Sequence, residues 1–109
     1  MNSKAYKSYE ISKNEYRELK YFCLRYPEMK KQLEEIDSHS EKALRLCYSF
    51  GQIDHALELT TENEIVRGHL LRSVTENINY ERLDVPMGRQ QFYELRRKFF
   101  YILKTLKMG

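Results

Sequence analysis

The chain has 109 residues and a mass of 13.3 kDa, a size that holds one compact domain and excludes most multidomain enzymes. Four glycines and two prolines are too few for an all-β protein, while nine tyrosines and five phenylalanines supply apolar area for a core and argue against disorder. The formal net charge of +3 is mild for a protein that binds a polyanion. Together these figures predict an all-α fold, a small bundle of about five helices.

The first predicted helix begins at a capping signal. Residues 1–11 are polar and predict a flexible N-terminal arm, and residues 12–109 a single helical domain, divided into a helical body (12–61) and a C-terminal unit (62–109). The spacing of Ser12 and Glu15 is that of a capping box, in which each side chain bonds to the other residue's backbone N–H. A helix is predicted from there to residue 25, because apolar residues recur every third or fourth position, at Tyr16, Leu19, Cys23 and Tyr26.

Three more helices are predicted before residue 77. Pro27 ends the first helix and fits the first turn of a short second one. Ser38 with Glu41, and Thr61 with Glu64, repeat the capping-box spacing and predict the starts of a long third helix and of a fourth.

Apolar stripes give the third and fourth helices their predicted inner faces. Gly51 interrupts the third helix at a cost of roughly 1 kcal/mol relative to alanine, and a continuous helix is preferred over a break there. The predicted inner residues of the two helices are Ala43, Leu46, Cys47, Phe50, Ile53, Leu57, Ile65, Val66, Leu70 and Val74.

A polar hinge precedes the last helix. Residues 77–88 contain Asn, Asp, Pro and Gly, and within them the spacing of Tyr80 and Leu83 indicates a single helical turn. Gly88 is expected to free the backbone just before the last helix, which is predicted from Arg89 to about residue 107. Its core-facing stripe is Phe92, Leu95, Phe99, Ile102 and Leu106.

No enzyme, metal or membrane motif is present in the sequence. The three histidines lack H-E-x-x-H spacing and the glycines form no phosphate loop, so no catalytic residue and no cofactor are predicted. Cys23 and Cys47 lack the spacing of zinc ligands and are predicted to be free thiols in the core. The longest apolar run is five residues, where about 20 span a bilayer, and the polar first twenty residues carry no signal peptide. A cytoplasmic protein without membrane contact is therefore expected.

The charge is distributed unevenly along the chain. Residues 86–109 hold six basic residues against Glu94 alone, a balance of +5, whereas the rest of the chain sums to −2. A basic C-terminal helix on a slightly acidic body favours contact with a polyanion. The alternative is a basic helix face that is simply solvated.

The side of the last helix opposite Phe92 and Phe99 carries groups that hydrogen-bond to phosphates and base edges. Arg97 can present two such groups to guanine and Gln90 two to adenine. The fourth helix, the hinge and the last helix then have the order of a helix-turn-helix, in which the last helix enters the major groove. The candidate DNA-binding residues are Arg89, Gln90, Tyr93, Arg96, Arg97, Lys98 and Lys104.

The segment 73–106 also carries a family resemblance. Its sequence, SVTENINYERLDVPMGRQQFYELRRKFFYILKTL, resembles the C-terminal part of small phage and prophage proteins of Gram-positive bacteria, of the ArpU and RinA types. The resemblance implies a sigma-factor-like helix-turn-helix made of the N-Y-x-x-L turn, the V-P-x-G hinge and the F-Y-x-x-R-R-x-F-F helix, and a role in late-gene transcription. By position it assigns the DNA face to Arg89, Gln90, Tyr93, Arg96 and Arg97, and packing to Phe92, Phe99 and Phe100.

Two functions of different classes follow. The first is a phage-type DNA-binding transcriptional regulator, with double-stranded DNA as its partner. The second is a helical interaction module of phage origin that binds or inhibits a host protein, such as RNA polymerase, a nuclease or a defence factor, because tyrosine is a favoured interface residue. A homodimer through the end of the last helix is left open.

Overall fold

The computed structural model describes residues 10–108, and residues 1–9 of the predicted arm lie outside this range. The described residues form helices and no strand, which confirms the predicted all-α bundle. In chain order the elements are α1 (Lys13–Leu24), α2 (Tyr26–Glu35), α3 (Glu41–Thr60), α4 (Glu64–Glu76), a 3₁₀ turn (Tyr80–Arg82) and α5 (Arg89–Met108).

The predicted capping box at the start of α1 is confirmed. The Ser12 hydroxyl accepts a hydrogen bond from the Glu15 N–H at 3.1 Å, and the Glu15 carboxylate accepts one from the Ser12 N–H at 2.9 Å. Pro27 lies in the first turn of α2, as expected of a residue that lacks an N–H. α3 continues through Gly51 without a break.

The other two predicted capping boxes are wrong, because a short turn precedes each helix and moves its start by two residues. At α3 the cap is Ser40, whose hydroxyl accepts from the Ala43 N–H at 3.1 Å. Ser38 belongs instead to the turn before it, where the Asp37 carboxylate accepts the backbone N–H of His39 at 3.0 Å.

The start of α4 is also two residues later than predicted. Asn63 caps the helix by accepting from the N–H groups of Ile65 and Val66, at 3.0 and 3.1 Å. Thr61 ends α3, and its hydroxyl accepts from the Asn63 N–H. Asparagine and serine cap equally well, so the turn geometry decides which residue does so.

α5 is the central helix of the bundle. It packs mainly against α3, and also against α1 and α4. Phe92 and Phe99 are buried as the stripe predicts, and Phe100 is buried as the resemblance implies. Leu103, which was not predicted, is buried too. The other residues of the predicted stripe are half-buried: Leu95, Ile102 and Leu106. The buried face is broader than the predicted stripe, because α5 is contacted by helices on more than one side.

Two predicted core residues lie on the surface instead. Cys47 is exposed and Ile65 is 64% exposed, while Cys23 is completely buried and both cysteines are free. Cys47 follows the buried Leu46 and Ile65 precedes the buried Val66, so each is turned about 100° away from a residue that faces the core. Among the described residues, none of the helices has the length and apolar run needed to cross a bilayer.

Candidate nucleic-acid interface

The hinge between α4 and α5 contains two residues in the left-handed conformation. Asn77 ends α4 with φ 55°, and Asp84 follows the 3₁₀ turn with φ 52°. Asparagine and aspartate tolerate this conformation better than other residues with side chains. Gly88 does not have a positive φ, so the backbone freedom expected of it is not used.

Aromatic side chains fasten the hinge to the first turns of α5. The Tyr80 hydroxyl donates to the Met87 carbonyl, and the Tyr93 hydroxyl accepts from the Tyr80 N–H at 3.4 Å. The rings of Tyr80 and Phe92 lie 5.8 Å apart, and Leu83 is buried in the core beside them. These contacts fix the position of the start of α5 relative to the bundle.

The first three residues of α5 lie on the surface of the bundle, whereas Phe92 after them is buried. Arg89, Gln90 and Gln91 are all exposed. Arg89 forms an ion pair with Glu81 at 2.8 Å and stacks over the Tyr93 ring at 5.1 Å. A hydrogen bond from its own backbone N–H, and then Arg89, lower the pKa of the Glu81 carboxyl. This turn therefore presents one guanidinium and two amide groups to solvent.

Two of the predicted DNA-binding residues make contacts between helices. Arg96 is half-buried, and it donates to the Ser73 hydroxyl at 3.2 Å and to the Tyr16 hydroxyl at 2.9 Å. Its guanidinium lies 5.1 Å from the centre of the Phe100 ring. Lys104 pairs with Glu15 on α1 at 3.2 Å. These cations join α5 to α1 and α4.

The other three predicted DNA-binding residues lie in the middle of α5. Tyr93, Arg97 and Lys98 are half-buried. Tyr93 and Arg97, but not Lys98, line a groove of about 460 Å³. The other residues of its lining are Ile11, Lys13, Tyr16, Arg96 and Phe100. The structure thus places Arg89 and Gln90 at an exposed helix start, and the other predicted residues further along α5.

Sequence reasoning missed Gln91 and Glu81 as neighbours of the candidate interface. Gln91 lies to one side of the predicted face on a helical wheel, but the first turn of α5 is exposed around most of its circumference. Glu81 is eight residues before Arg89, and the 3₁₀ turn brings the two together. A spacing of eight residues across a hinge has no periodic signal.

We expect replacement of Arg96 by methionine to lower the free energy of unfolding by about 2 kcal/mol, because the Tyr16 and Ser73 hydroxyls lose a charged donor. Urea denaturation followed by circular dichroism measures the change. Arg89→Met is the matched control, since its ion pair is exposed and is expected to contribute less than about 1 kcal/mol. Equal losses in the two variants would contradict the interhelical role of Arg96.

Comparison with protein families, curated proteins and solved structures finds no significant match to this chain. Among the described residues, no three His, Cys, Asp or Glu side chains are grouped so as to hold a metal ion. The resemblance of segment 73–106 to phage regulators stays a prediction.

Proposed function

We propose that the protein is a phage-type DNA-binding transcriptional regulator that acts in the bacterial cytoplasm, with the first turns of α5 in the major groove. The observation that carries this proposal is the exposed first turn of α5, where Arg89 and Gln90 lie on the surface of the bundle at the end of an anchored hinge. Recognition helices of helix-turn-helix proteins contact base edges with their N-terminal residues.

The central position of α5 determines which part of it can reach DNA. From Phe92 onward it carries buried side chains, with Phe99, Phe100 and Leu103 in its second half, so this part of the helix supports the bundle. The major groove of DNA is about 12 Å wide and admits one helix. The exposed end of α5 is the part of the helix that can enter it. Arg96 and Lys104 then act as positioning residues that hold α5 against α1 and α4.

Arg89 and Gln90 have different roles in the proposal. The ion pair of Arg89 with Glu81 is solvent-exposed and therefore weak, so a DNA phosphate can replace the carboxylate. Gln90 carries both a donor and an acceptor, the pair that recognises adenine in the major groove. Lys98, two turns further on, adds positive charge for the phosphate backbone.

Duplex binding by the full chain tests this proposal. Ligands are first selected from a random duplex library at about 50 mM salt, and affinities are then measured at rising salt. Contact of Arg89 and Lys98 with about two phosphates gives a slope of about −1.8 for log affinity against log salt.

Two variants separate base recognition from phosphate contact. We expect Gln90→Ala to weaken the selected site about tenfold and to relax the preference at one base pair. Arg89→Ala should weaken all duplexes alike and reduce the salt slope by about 1. Lys31→Ala, an exposed lysine on α2, is the control and should change neither value. Absence of duplex binding at low salt would overturn the proposal and favour a protein partner.

A further inference from the structure

The groove of about 460 Å³ lies between the start of α1 and the middle of α5, and we call it the α1–α5 groove. Three of the seven residues that line it are the cations Lys13, Arg96 and Arg97, and none of the seven is acidic. Glu15, which lies between the two α1 residues of the lining, pairs with Lys104 on α5 at 3.2 Å. The groove is therefore positively charged, and its volume is in the range of about 300–1,000 Å³ that small-molecule sites have.

The polar groups of the α1–α5 groove are all able to donate a hydrogen bond. The ammonium and guanidinium groups are donors only. The Tyr16 hydroxyl accepts from Arg96 at 2.9 Å and the Tyr93 hydroxyl accepts from the Tyr80 N–H at 3.4 Å, so each hydroxyl has its own proton to donate. Arg96 carries five N–H donors, and its bonds to Ser73 and Tyr16 use two of them. A negatively charged ligand with acceptor oxygens matches this set of donors.

The number of cations favours a phosphate over a carboxylate. A carboxylate has a single negative charge, whereas a phosphate monoester has a charge of about −1.5 to −2 and three acceptor oxygens. Guanidinium groups bind phosphate through two parallel hydrogen bonds. Residues 1–9, which precede the groove in the chain, contain Lys4 and Lys7 and no acidic residue, so they do not supply the anion. The matching group is thus a phosphate of another molecule.

The rest of the lining is apolar or aromatic, and it extends the site beyond the size of a phosphate ion. These residues are Ile11, Tyr16, Tyr93 and Phe100. Phe100 is buried, and its ring lies 5.2 Å from that of Tyr16 in an edge-to-face arrangement, so packing holds both rings in place. Aromatic side chains bind nucleobases through their flat faces, with little dependence on which base is present.

We propose that the α1–α5 groove binds a nucleoside monophosphate, with its phosphate at the three cations and its base against the aromatic rings. The donors select the phosphate, and the aromatic lining selects the base. Arg89 and Gln90 are not part of the lining, so this site is separate from the proposed contacts with base edges. The same chemical unit occurs as a free nucleotide and as the phosphorylated end of a DNA strand.

Calorimetric titration of the full chain in the absence of DNA tests the site. The three probes are adenosine 5′-monophosphate (AMP), adenosine and inorganic phosphate, each at about 150 mM salt. We expect AMP to bind with a dissociation constant of about 10–100 µM, and the other two to bind at least about tenfold more weakly.

Three outcomes of this titration would overturn the proposal. Inorganic phosphate that binds as tightly as AMP would make the groove a site for an adventitious ion only. Adenosine that binds as tightly as AMP would remove the role of the three cations. Absence of AMP binding would overturn the site altogether, and it would leave the DNA proposal standing, because no DNA is present in the experiment.

Two pairs of variants test the cations of the groove. Lys13→Gln should weaken AMP binding by about threefold and Arg97→Gln by about tenfold, since each removes a positive charge beside the phosphate. Lys42→Gln and Arg45→Gln make the same changes at exposed positions of α3 outside the lining and should leave the affinity unchanged. Lys13 is exposed, so its variant should fold normally, which thermal melting checks. Equal effects in the two pairs would overturn the assigned site.

Nuclear magnetic resonance locates the ligand on the protein. During the AMP titration the backbone amide signals of residues 11–16 and 93–100 should shift, and those of α2 should not. Shifts confined to other parts of the chain would overturn the location.

A 5′-phosphorylated tetranucleotide distinguishes the two sources of the ligand. A strand that binds no more tightly than AMP indicates a free nucleotide. A strand that binds at least about tenfold more tightly indicates a strand end, because phosphates beyond the first then contribute. Either result supports the α1–α5 groove as the binding site of the phosphate and its base, provided that Lys13→Gln weakens the binding.

Discussion

Replacement of Phe99 by alanine should lower the free energy of unfolding by about 3–5 kcal/mol, the largest loss we expect from one substitution. The Phe99 side chain is completely buried in the second half of α5, and its ring lies 5.3 Å from that of Phe100 in an edge-to-face arrangement. Truncation removes buried apolar area and leaves a cavity that the surrounding helices fill only in part. A domain of this size is stable by only about 5–15 kcal/mol, so the variant should be largely unfolded at mild urea concentrations.

Urea denaturation followed by far-ultraviolet circular dichroism measures this loss. Met108→Ala is the control, because Met108 is 75% exposed at the end of the same helix and should change stability by less than about 0.5 kcal/mol. A loss of under about 1 kcal/mol for Phe99→Ala would contradict the central position of α5 in the core.

The second large effect is a loss of stability at alkaline pH that depends on Cys23. Burial raises the pKa of the Cys23 thiol from 9.0 to about 12, against a smaller opposite effect of Arg96 and Lys107. Because the folded state holds the thiol proton more tightly than the unfolded state, the stabilisation is complete below about pH 9. It is lost progressively as the pH rises toward 12, by about 4 kcal/mol in total.

Unfolding free energies measured between about pH 8 and pH 11 test this dependence. Wild type should lose stability more steeply than Cys23→Ala over this range, whereas Cys47→Ala should follow the wild type, because Cys47 is exposed. Burial, and then Asp54, also raise the pKa of Tyr26, which adds a loss common to all three proteins. Parallel curves for wild type and Cys23→Ala would contradict the buried, protonated thiol.

The thiols also differ in reactivity, for the same reason. An alkylating reagent at neutral pH should modify Cys47 at once and Cys23 only when the protein unfolds, because the thiolate is the reactive species.

The sequence analysis predicted that both cysteines lie in the core, and this is wrong for Cys47. Cys47 was one of six α3 residues predicted to face the core. The helix has more apolar residues than buried positions, so an apolar residue on it need not be buried.

The helices of the fold could be predicted from the sequence, because they depend on residues that are close together along the chain. The periodicity of apolar residues, the Ser12–Glu15 box and Pro27 are local signals, and they located the helices to within about two residues. The starts of α3 and α4 were misplaced because, before each helix, two residues able to cap it stand two positions apart. Only the geometry of the preceding turn distinguishes Ser40 from Ser38, and Asn63 from Thr61.

The sequence by itself determined the all-α class, the order of the helices and the basic character of the last one, because these depend on composition and short-range periodicity. The tertiary structure decided which charged and apolar groups face solvent. It turned Arg96 and Lys104 toward α1 and α4, and it left Arg89 and Gln90 exposed at the start of α5. It also exposed Leu44, Tyr48 and Leu59 on α3. A helical wheel gives the angle of each side chain but not the positions of the neighbouring helices, and burial depends on both.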